Sequence, residues 1–437
     1  MDLYFKKSRR KDDLLNDDQN TALDFVSTGN SVLITGEAGT GKSYIIQKII
    51  DRCNAIDRIV AVTAMTGTAA SLIGGKTVHS WGSLGLGNRS AEYYSEKILS
   101  SWPKKIKWRK CRVLIIDEIS MMDAQFFELI EEVARLVRGN NRPFGGIQVI
   151  LIGDFYQLPP VSKSNKPLKF CFESEKWKGV IQNKITLRQI VRQKDPIFQN
   201  VLSEVRIGKP STETIRIIES RINVKPDTDS GIVPTILHSK RNKVDKINEI
   251  EFNKLPTSQI VEYNADYEIT GDKAIKIKKD ELTMWVDLID KDNNYVKKLQ
   301  LAIGAQVMLL VNLDQEIGLV NGSRGIIIDF EEGFPLVRFL NGNIQKILYH
   351  SYNYEISSSS EIIARQIPLN LAWCSTIHKS QGQSLDYVQI NIGSDIFECG
   401  QTYVAISRAR SLSGLFIEDF DKHKILVNQK VVEFDAS

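Results

Sequence analysis

"SVLITGEAGTGKS", residues 31 to 43, decides how the chain folds. Its first part, "SVLIT", is a short apolar run with β-branched residues, the pattern of a strand buried on both faces of a parallel sheet. The next eight residues, "GEAGTGKS" (36–43), fit G-x-x-x-x-G-K-[ST]. After Ser43, the apolar residues Ile45, Ile46, Ile49, Ile50 and Cys53 recur at helical spacing. Strand, glycine-rich loop and helix is the context that this pattern requires. In it, backbone N–H groups of Gly36, Ala38, Gly39, Thr40 and Gly41 can cradle phosphate oxygens, and the helix N-terminus adds positive potential. Lys42 is expected to reach the β- and γ-phosphates, and the Ser43 hydroxyl to ligate Mg²⁺. The cofactors expected are therefore ATP and Mg²⁺.

Working outward, "RIVAVTA" (58–64), "RVLIID" (112–117) and "IQVILIGD" (147–154) read as further buried strands, and "AQFFELIEEVARLV" (124–137) as a helix. The fold class that follows is α/β with a parallel sheet. A second series of strand candidates is "PTILHS" (234–239), "LNLAWCSTIH" (369–378), "YVQINIG" (387–393) and "LFIEDF" (415–420). Between them, from about 270 to 355, strand-like runs alternate with the turn signals "NNY", "NGSRG", "EEGFP" and "NGN". Asn-Gly between apolar runs signals hairpins, so this stretch reads as a small antiparallel insertion in a second α/β domain.

"VLIIDEIS" (113–120) supplies a partner for the phosphate loop. Asp117 ends a buried strand, where a carboxylate can hold Mg²⁺. Glu118 follows it, placed to polarise a water that attacks the γ-phosphate. The pair points to hydrolysis by water rather than transfer to a metabolite.

Composition sets the frame. The chain has 437 residues, 42% hydrophobic and 25% charged, enough for two or three domains with real cores. It has no apolar run long enough for a membrane span, and the basic N-terminus lacks the apolar core of a secretory signal. No pair among Cys53, Cys111, Cys171, Cys374 and Cys399 has redox or zinc-ligand spacing. They read as core thiols of a reducing compartment, nucleus or cytoplasm. The net charge of +4 does not announce a nucleic-acid partner. Local clusters are stronger. Lys6, Lys7, Arg9, Arg10 and Lys11 suit a flexible tail or a nuclear address. Lys104, Lys105, Lys107, Arg109, Lys110 and Arg112, interleaved with Trp102 and Trp108, suit either a strand channel or a tryptophan-anchored surface.

The later motifs carry a resemblance. "FFELIEEVARLVRGNNRPFGGIQ" (126–148), "GDFYQLPPV" (153–161), "GAQVMLLVNLDQEIGLVNGSRG" (304–325), "RQIPLNLAWCSTIHKSQGQSLD" (365–386) and "GQTYVAISRARSLSGL" (400–415) follow one another as in the petite-integration-frequency (PIF) family of superfamily 1B DNA helicases. From about residue 14 to 422, the chain resembles that family. The resemblance implies two RecA-like P-loop NTPase domains with parallel sheets. The first is 1–190, with 83–108 as a wedge or accessory insertion. The second is 191–269 plus 356–437, and 270–355 is an inserted Src-homology-type barrel.

Residue by residue, the resemblance makes Gln19 the adenine sensor and Gln157 the γ-phosphate sensor. Arg192 and Arg408 become the arginines that reach the triphosphate across the domain cleft. Thr66, Gly67, His79, Ser239, Asn242, Thr376, His378 and Lys379 become candidates for contact with a DNA strand, chiefly its phosphates. Asp154 and Gln157 are expected to face the γ-phosphate, with Pro159 and Pro160 holding an extended path toward DNA. The implied activity is ATP-driven 5′→3′ movement on single-stranded DNA with unwinding of forked duplex, in replication, recombination or repair. Polarity comes from the resemblance alone. Replication proteins are implied as further partners, with a monomer on DNA and no membrane. Compactness would also suit a viral or stand-alone helicase. Two other classes remain: a nucleic-acid binding protein with a switch ATPase, and a P-loop enzyme acting on a small molecule. Both predict little strand-stimulated turnover.

Overall fold

A computed structural model of the chain describes residues 15–85, 87–160, 169–224, 231–256, 260–271, 283, 286, 295–314, 316–355 and 360–436. The basic cluster at residues 6–11 lies outside them.

Strands β1 (Val32–Gly36), β2 (Val60–Ala64), β3 (Lys76–Thr77), β4 (Val113–Asp117), β5 (Gln148–Gly153) and β6 (Lys184–Leu187) form one sheet in the order β3-β2-β4-β5-β1-β6. Every pairing is parallel. β1, β4 and β5 are buried along their whole length. The reason is the two-residue period of a strand, which sends alternate side chains to opposite faces. Leu33, Leu114, Ile116, Val149 and Leu151 join one core, with helix Ala124–Arg138 and Trp108. Val32, Ile34, Val113, Ile115, Ile150 and Ile152 join another, with helices Asp17–Ser27 and Lys42–Asn54.

The second parallel sheet follows β7 (Thr235–His238) after a long excursion. That excursion holds β8 (Val261–Asn264), β9 (Asp266–Gly271), β10 (Lys298–Leu301), β11 (Gln306–Leu309), β12 (Arg324–Glu331), β13 (Phe334–Phe339), β14 (Ile344–Lys346), β15 (His350–Glu355), β16 (Ser360–Gln366) and β17 (Leu369–Leu371). The chain then returns through β18 (Cys374–Thr376), β19 (Val388–Ile392) and β20 (Leu415–Phe420), giving the parallel order β18-β7-β19-β20. The excursion is antiparallel, as β14-β13-β12-β11-β17, β15-β16-β9 and β10-β8. Leu299, Leu301, Val307, Leu309, Ile327, Val337, Phe339 and Leu369 share its core. One of the expected turns is tight: Glu332 and Gly333 both have positive φ between β12 and β13, as the favoured two-residue hairpin turn requires.

The structure differs from the sequence reading in four places. The run 369–378 is not one strand. Leu369–Leu371 pairs with β11 in the antiparallel sheet and Cys374–Thr376 pairs with β7 in the parallel one, with Ala372 N–H bonded to Gln306 O between them. Apolar continuity alone hides such a crossing. Antiparallel strands extend from Val261 to Leu371 on both sides of the 270–355 stretch, and we propose these wider bounds for the insertion. The terminal helix Gln429–Ala436 packs on the first domain rather than the second. Phe434 stacks on Phe172 at 4.2 Å, and Lys430 and Asp435 pair with Glu173 and Lys184. Finally, Trp102 and Trp108 part company. Trp108 is fully buried and donates to Gly82 O at 3.3 Å, whereas Trp102 is 71% exposed. The segment 83–108 is largely two helices, Ala91–Leu99 and Trp102–Lys110, the first packed on helix Ala124–Arg138.

The five cysteines are free, four of them buried. Among the described residues no helix is long and apolar enough to cross a membrane.

Candidate active site and strand-binding face

β1 delivers Gly36 to the carboxyl edge of the first sheet, and the loop turns into helix Lys42–Asn54 at Gly41, whose φ is +85°. Gly39 must stay without a side chain. A Cβ there would lie 2.7 Å from Gln193 Oε1 and 2.8 Å from Arg192 Cβ. Lys42 folds over the loop, donating to Gly36 O at 2.7 Å and Glu37 O at 2.8 Å. Its burial lowers its pKa, and Asp154, Glu118 and Asp117 oppose the drop. The Ala38 N–H donates to the Tyr403 hydroxyl at 2.7 Å, so the second domain touches the loop itself.

β4 ends at Asp117, which accepts the Glu118 N–H at 2.9 Å. Burial raises the Asp117 pKa, and the adjacent Glu118 charge raises it further. Glu118 has φ +55°, a left-handed conformation that a non-glycine residue rarely adopts and that clusters at functional sites. Its Oε2 accepts from Gln381 Nε2 of the second domain at 2.9 Å.

A divalent cation fits these donors. A buried carboxylate whose proton affinity is raised by a neighbouring carboxylate gains from a nearby positive charge. The described residues hold no cluster of three or more His, Cys, Asp or Glu that could cage a metal. One carboxylate and a hydroxyl match an ion that takes its other ligands from phosphate and water, as Mg²⁺ does.

Asp117, Glu118, Lys42, Ser43, Gln157, Arg192 and Arg408 line one cleft of about 260 Å³. Arg192 enters from the segment leaving the first domain. Its N–H bonds to Gly39 O, and its guanidinium donates to Ser407 O at 3.4 Å. Arg408 follows helix Gln401–Ser407 and is 1% exposed. Val404 O, Ser380 O, Gln383 O and the Ser407 hydroxyl accept its N–H groups at 2.9–3.3 Å. Burial and the neighbouring Arg192 push its pKa down to about 9, against Glu118.

Other expected residues sit elsewhere. Gln19, Gly36 and Thr40 do not line this cleft. Gln19 is part of a capping box: its side-chain oxygen accepts from Asn16 N–H, and its amide donates to Thr40 O at 3.4 Å. It thereby braces the loop. Asp154 does not face the cleft. It is fully buried in a bidentate pair with Arg206 at 2.9–3.2 Å and accepts from Tyr403 at 3.3 Å. Pro159 and Pro160 are buried, and the path beyond, 161–168, lies outside the described residues. Tyr44, Val191 and Gly382 line the cleft without having been singled out from sequence. Gly382 is the one with a signal, since it lies in "RQIPLNLAWCSTIHKSQGQSLD" (365–386), three residues after Lys379.

The strand candidates divide in the same way. Thr66 caps helix Gly67–Leu72, its hydroxyl accepting from Ala69 N–H at 3.2 Å, and Leu72 of that helix abuts Gly382. His79 stacks on Phe126 at 4.1 Å within the first domain. In the second domain the Ser239 hydroxyl donates to Asp395 O at 2.8 Å, and Asn242 is exposed on the first turn of helix Arg241–Asn253. Thr376 accepts from Lys379 N–H at 3.1 Å, which turns the chain so that Lys379 is exposed. Lys379 and Arg241 are close enough for Arg241 to help lower the lysine pKa, after packing. His378 is half-buried, and its burial lowers its pKa.

Comparison with known proteins matches these features. A PIF1-like helicase model matches residues 14–214, and a model of the 2B domain of DNA helicase Pif1 matches 287–330. The ATP-dependent DNA helicase PIF1 of Danio rerio is 39% identical over 424 residues, 96% of this chain and 63% of that protein. The chain thus spans less than two thirds of the length of the curated relatives first matched. A crystal structure of Pif1 helicase from Candida albicans aligns with TM-score 0.81 and 37% identity, over 97% of this chain and 99% of that one. A Bacteroides Pif1 helicase in complex with ADP-AlF3 and single-stranded DNA aligns with TM-score 0.68 and 28% identity, over 97% of each chain. With two RecA-like parallel sheets, an antiparallel insertion and a near-complete match at 37% identity, the chain belongs to the PIF1-like helicase family.

Proposed function

We propose that the chain is an ATP-dependent DNA helicase that moves 5′→3′ on single-stranded DNA and unwinds forked duplex in replication, recombination or repair. The observation that carries this is the single cleft that gathers Lys42, Ser43, Asp117, Glu118 and Gln157 with Arg192 and Arg408. Lys42 releases its hold on the loop carbonyls to meet the β- and γ-phosphates. Ser43 and Asp117 would hold Mg²⁺, which would supply charge neutralisation to the phosphates. Glu118 takes a proton from water as the water oxygen bonds to the γ-phosphorus and the bridging β–γ bond breaks, leaving ADP and phosphate. Gln157 reads the γ-phosphate, and Arg192 and Arg408 stabilise the transferring group, an effect worth about 10³–10⁵ in rate. Gln19, through Thr40 O, holds the loop beside the adenine end.

Thr66, Gly67, His79, Ser239, Asn242, Thr376, His378 and Lys379 hold strand phosphates from both domains. Closure around ATP and reopening after hydrolysis alternate the grip of the two halves, which yields movement. The chain acts as a monomer on DNA in nucleus or cytoplasm, with replication proteins as further partners.

The test compares 5′-tailed and 3′-tailed duplexes with ATP and Mg²⁺ at low salt, beside a Lys42→Ala control. Unwinding of the 5′-tailed form alone is expected. Opening of the 3′-tailed form alone overturns the polarity. Absence of strand-stimulated ATPase overturns the motor.

A further inference from the structure

We propose that Gln381 is a positioning residue that aims the Glu118 carboxylate, and so ties hydrolysis to the strand-holding segment Thr376–Lys379. The inference rests on the ATPase reading above.

The geometry is specific. Gln381 is 5% exposed, and its Nε2 donates to Glu118 Oε2 at 2.9 Å across the domain boundary. Glu118 needs such a hold. Its backbone is in the left-handed region, and it follows a metal-site carboxylate that repels it. The amide donor fixes which oxygen is engaged and leaves the other for a water proton. The Gln381 Oε1 is itself a buried acceptor with no hydrogen-bond partner among the described residues. Both amide atoms share one plane, so this oxygen lies beside the carboxylate. A buried carbonyl calls for a donor, and a water has two hydrogens to give. One to Glu118 and one to Gln381 would orient its oxygen without removing its nucleophilic lone pair.

The residues around Gln381 make the link to DNA. The Thr376 hydroxyl accepts from Lys379 N–H, and the next turn bonds Ser380 N–H to Thr376 O and Gln381 N–H to His378 O. Ser380 O and Gln383 O hold Arg408. Gln383 Nε2 reaches Asn321 Oδ1 of the antiparallel insertion at 3.4 Å. The eight residues Thr376–Gln383 thus carry three of the strand candidates, the hold on Arg408 and the hold on Glu118. A strand that shifts Thr376–Lys379 has no compliant residue through which to shift without moving Gln381.

The test uses Gln381→Met, which keeps volume and removes both amide atoms, in the full chain. ATP hydrolysis at saturating single-stranded DNA is expected to lose about 10- to 100-fold in kcat, the scale of a misplaced general base. The KM for ATP and the Kd for DNA should stay within about twofold, because Gln381 does not itself line the nucleotide cleft and its bond to His378 O comes from the main-chain N–H, which Met keeps. These two constants also report that the variant has folded. In a Glu118→Gln background, Gln381→Met should add less than about a twofold loss, since coupled residues are not additive. A kcat within twofold of the unaltered chain overturns the inference. So does a full additional loss in the Glu118→Gln background, or a parallel fall in DNA affinity. An unaltered chain without strand-stimulated hydrolysis overturns the motor reading instead.

Discussion

Replacing Arg206 with Met breaks a buried ion pair from one side. Asp154 is fully buried at the end of β5, and Arg206 closes helix Pro196–Arg206 with a side chain 9% exposed. Three guanidinium contacts lie at 2.9–3.2 Å, and the guanidinium sits 4.1 Å above the Tyr156 ring. Burial works against the Arg206 charge, yet Asp154 outweighs it and raises the pKa. Without Arg206, the Asp154 carboxylate keeps, among the described residues, the Tyr156 N–H at 3.2 Å and the Tyr403 hydroxyl at 3.3 Å. Breaking a buried pair from one side costs about 3–5 kcal/mol, because the surviving charge stays buried. The remaining donors put the expected loss at the lower end, about 3 kcal/mol. Arg206→Met with Asp154→Asn should recover more than half of it, since no charge is left unpaired. Urea unfolding followed by tryptophan fluorescence measures both. A single variant within about 1 kcal/mol of the unaltered chain, or a double variant no better than the single, refutes the reasoning.

Three other outcomes follow from single contacts. A Cβ at Gly400, where φ is +77°, would lie 2.5 Å from Gln157 O and 2.6 Å from Tyr156 O. Gly400→Ala should cost about 1–3 kcal/mol of stability and lower strand-stimulated turnover by displacing Gln157, read by urea unfolding and steady-state ATPase. Arg408→Lys should lower turnover by about 10³ or more, since one ammonium cannot reproduce four spread donors, and ATP binding followed by fluorescence should change far less. Burial lowers the His378 pKa against Glu398, so the ring is neutral at pH 7 and can offer hydrogen bonds but no charge. Lys379→Ala should therefore reduce the log–log salt slope of single-stranded DNA binding by about 0.7, and His378→Ala should leave it unchanged.

What could be read from sequence was what is local. The loop at 36–43 and Asp117–Glu118 announce themselves because a strand, its turn and its helix are consecutive, and the parallel sheet then carries their ends to one edge. What could not be read joins distant residues. Ala38 meets Tyr403 across 365 positions, Glu118 meets Gln381 across 263, and Asp154 meets Arg206 across 52. Nothing in local pattern says that Asp154 turns toward an arginine rather than toward phosphate. Gln19 shows the opposite limit. Its capping box with Asn16 is a short-range pattern, which the reading as an adenine sensor had passed over. β6 escaped notice because Lys184–Leu187 is an edge strand of mixed polarity, and the 369–378 run misled because an apolar stretch carries no mark of which sheet it joins.

The electrostatics of the cleft explain why its two walls must act together. Burial disfavours the charge on Lys42, Arg192 and Arg408, and it disfavours the charge on Asp117 as well. The cations and the Asp117 carboxylate are both held in unfavourable states, and they relieve one another only partly. A polyphosphate with a divalent cation answers both, phosphate for the cations and metal for Asp117. Arg408 hangs from second-domain carbonyls, while Lys42 and Asp117 belong to the first sheet. The relief is complete only when both walls are in place, so nucleotide affinity and domain closure are one linked equilibrium. If a strand held at Lys379 favours closure, as the proposed function has it, it must tighten nucleotide binding, and nucleotide must tighten the strand by the same factor.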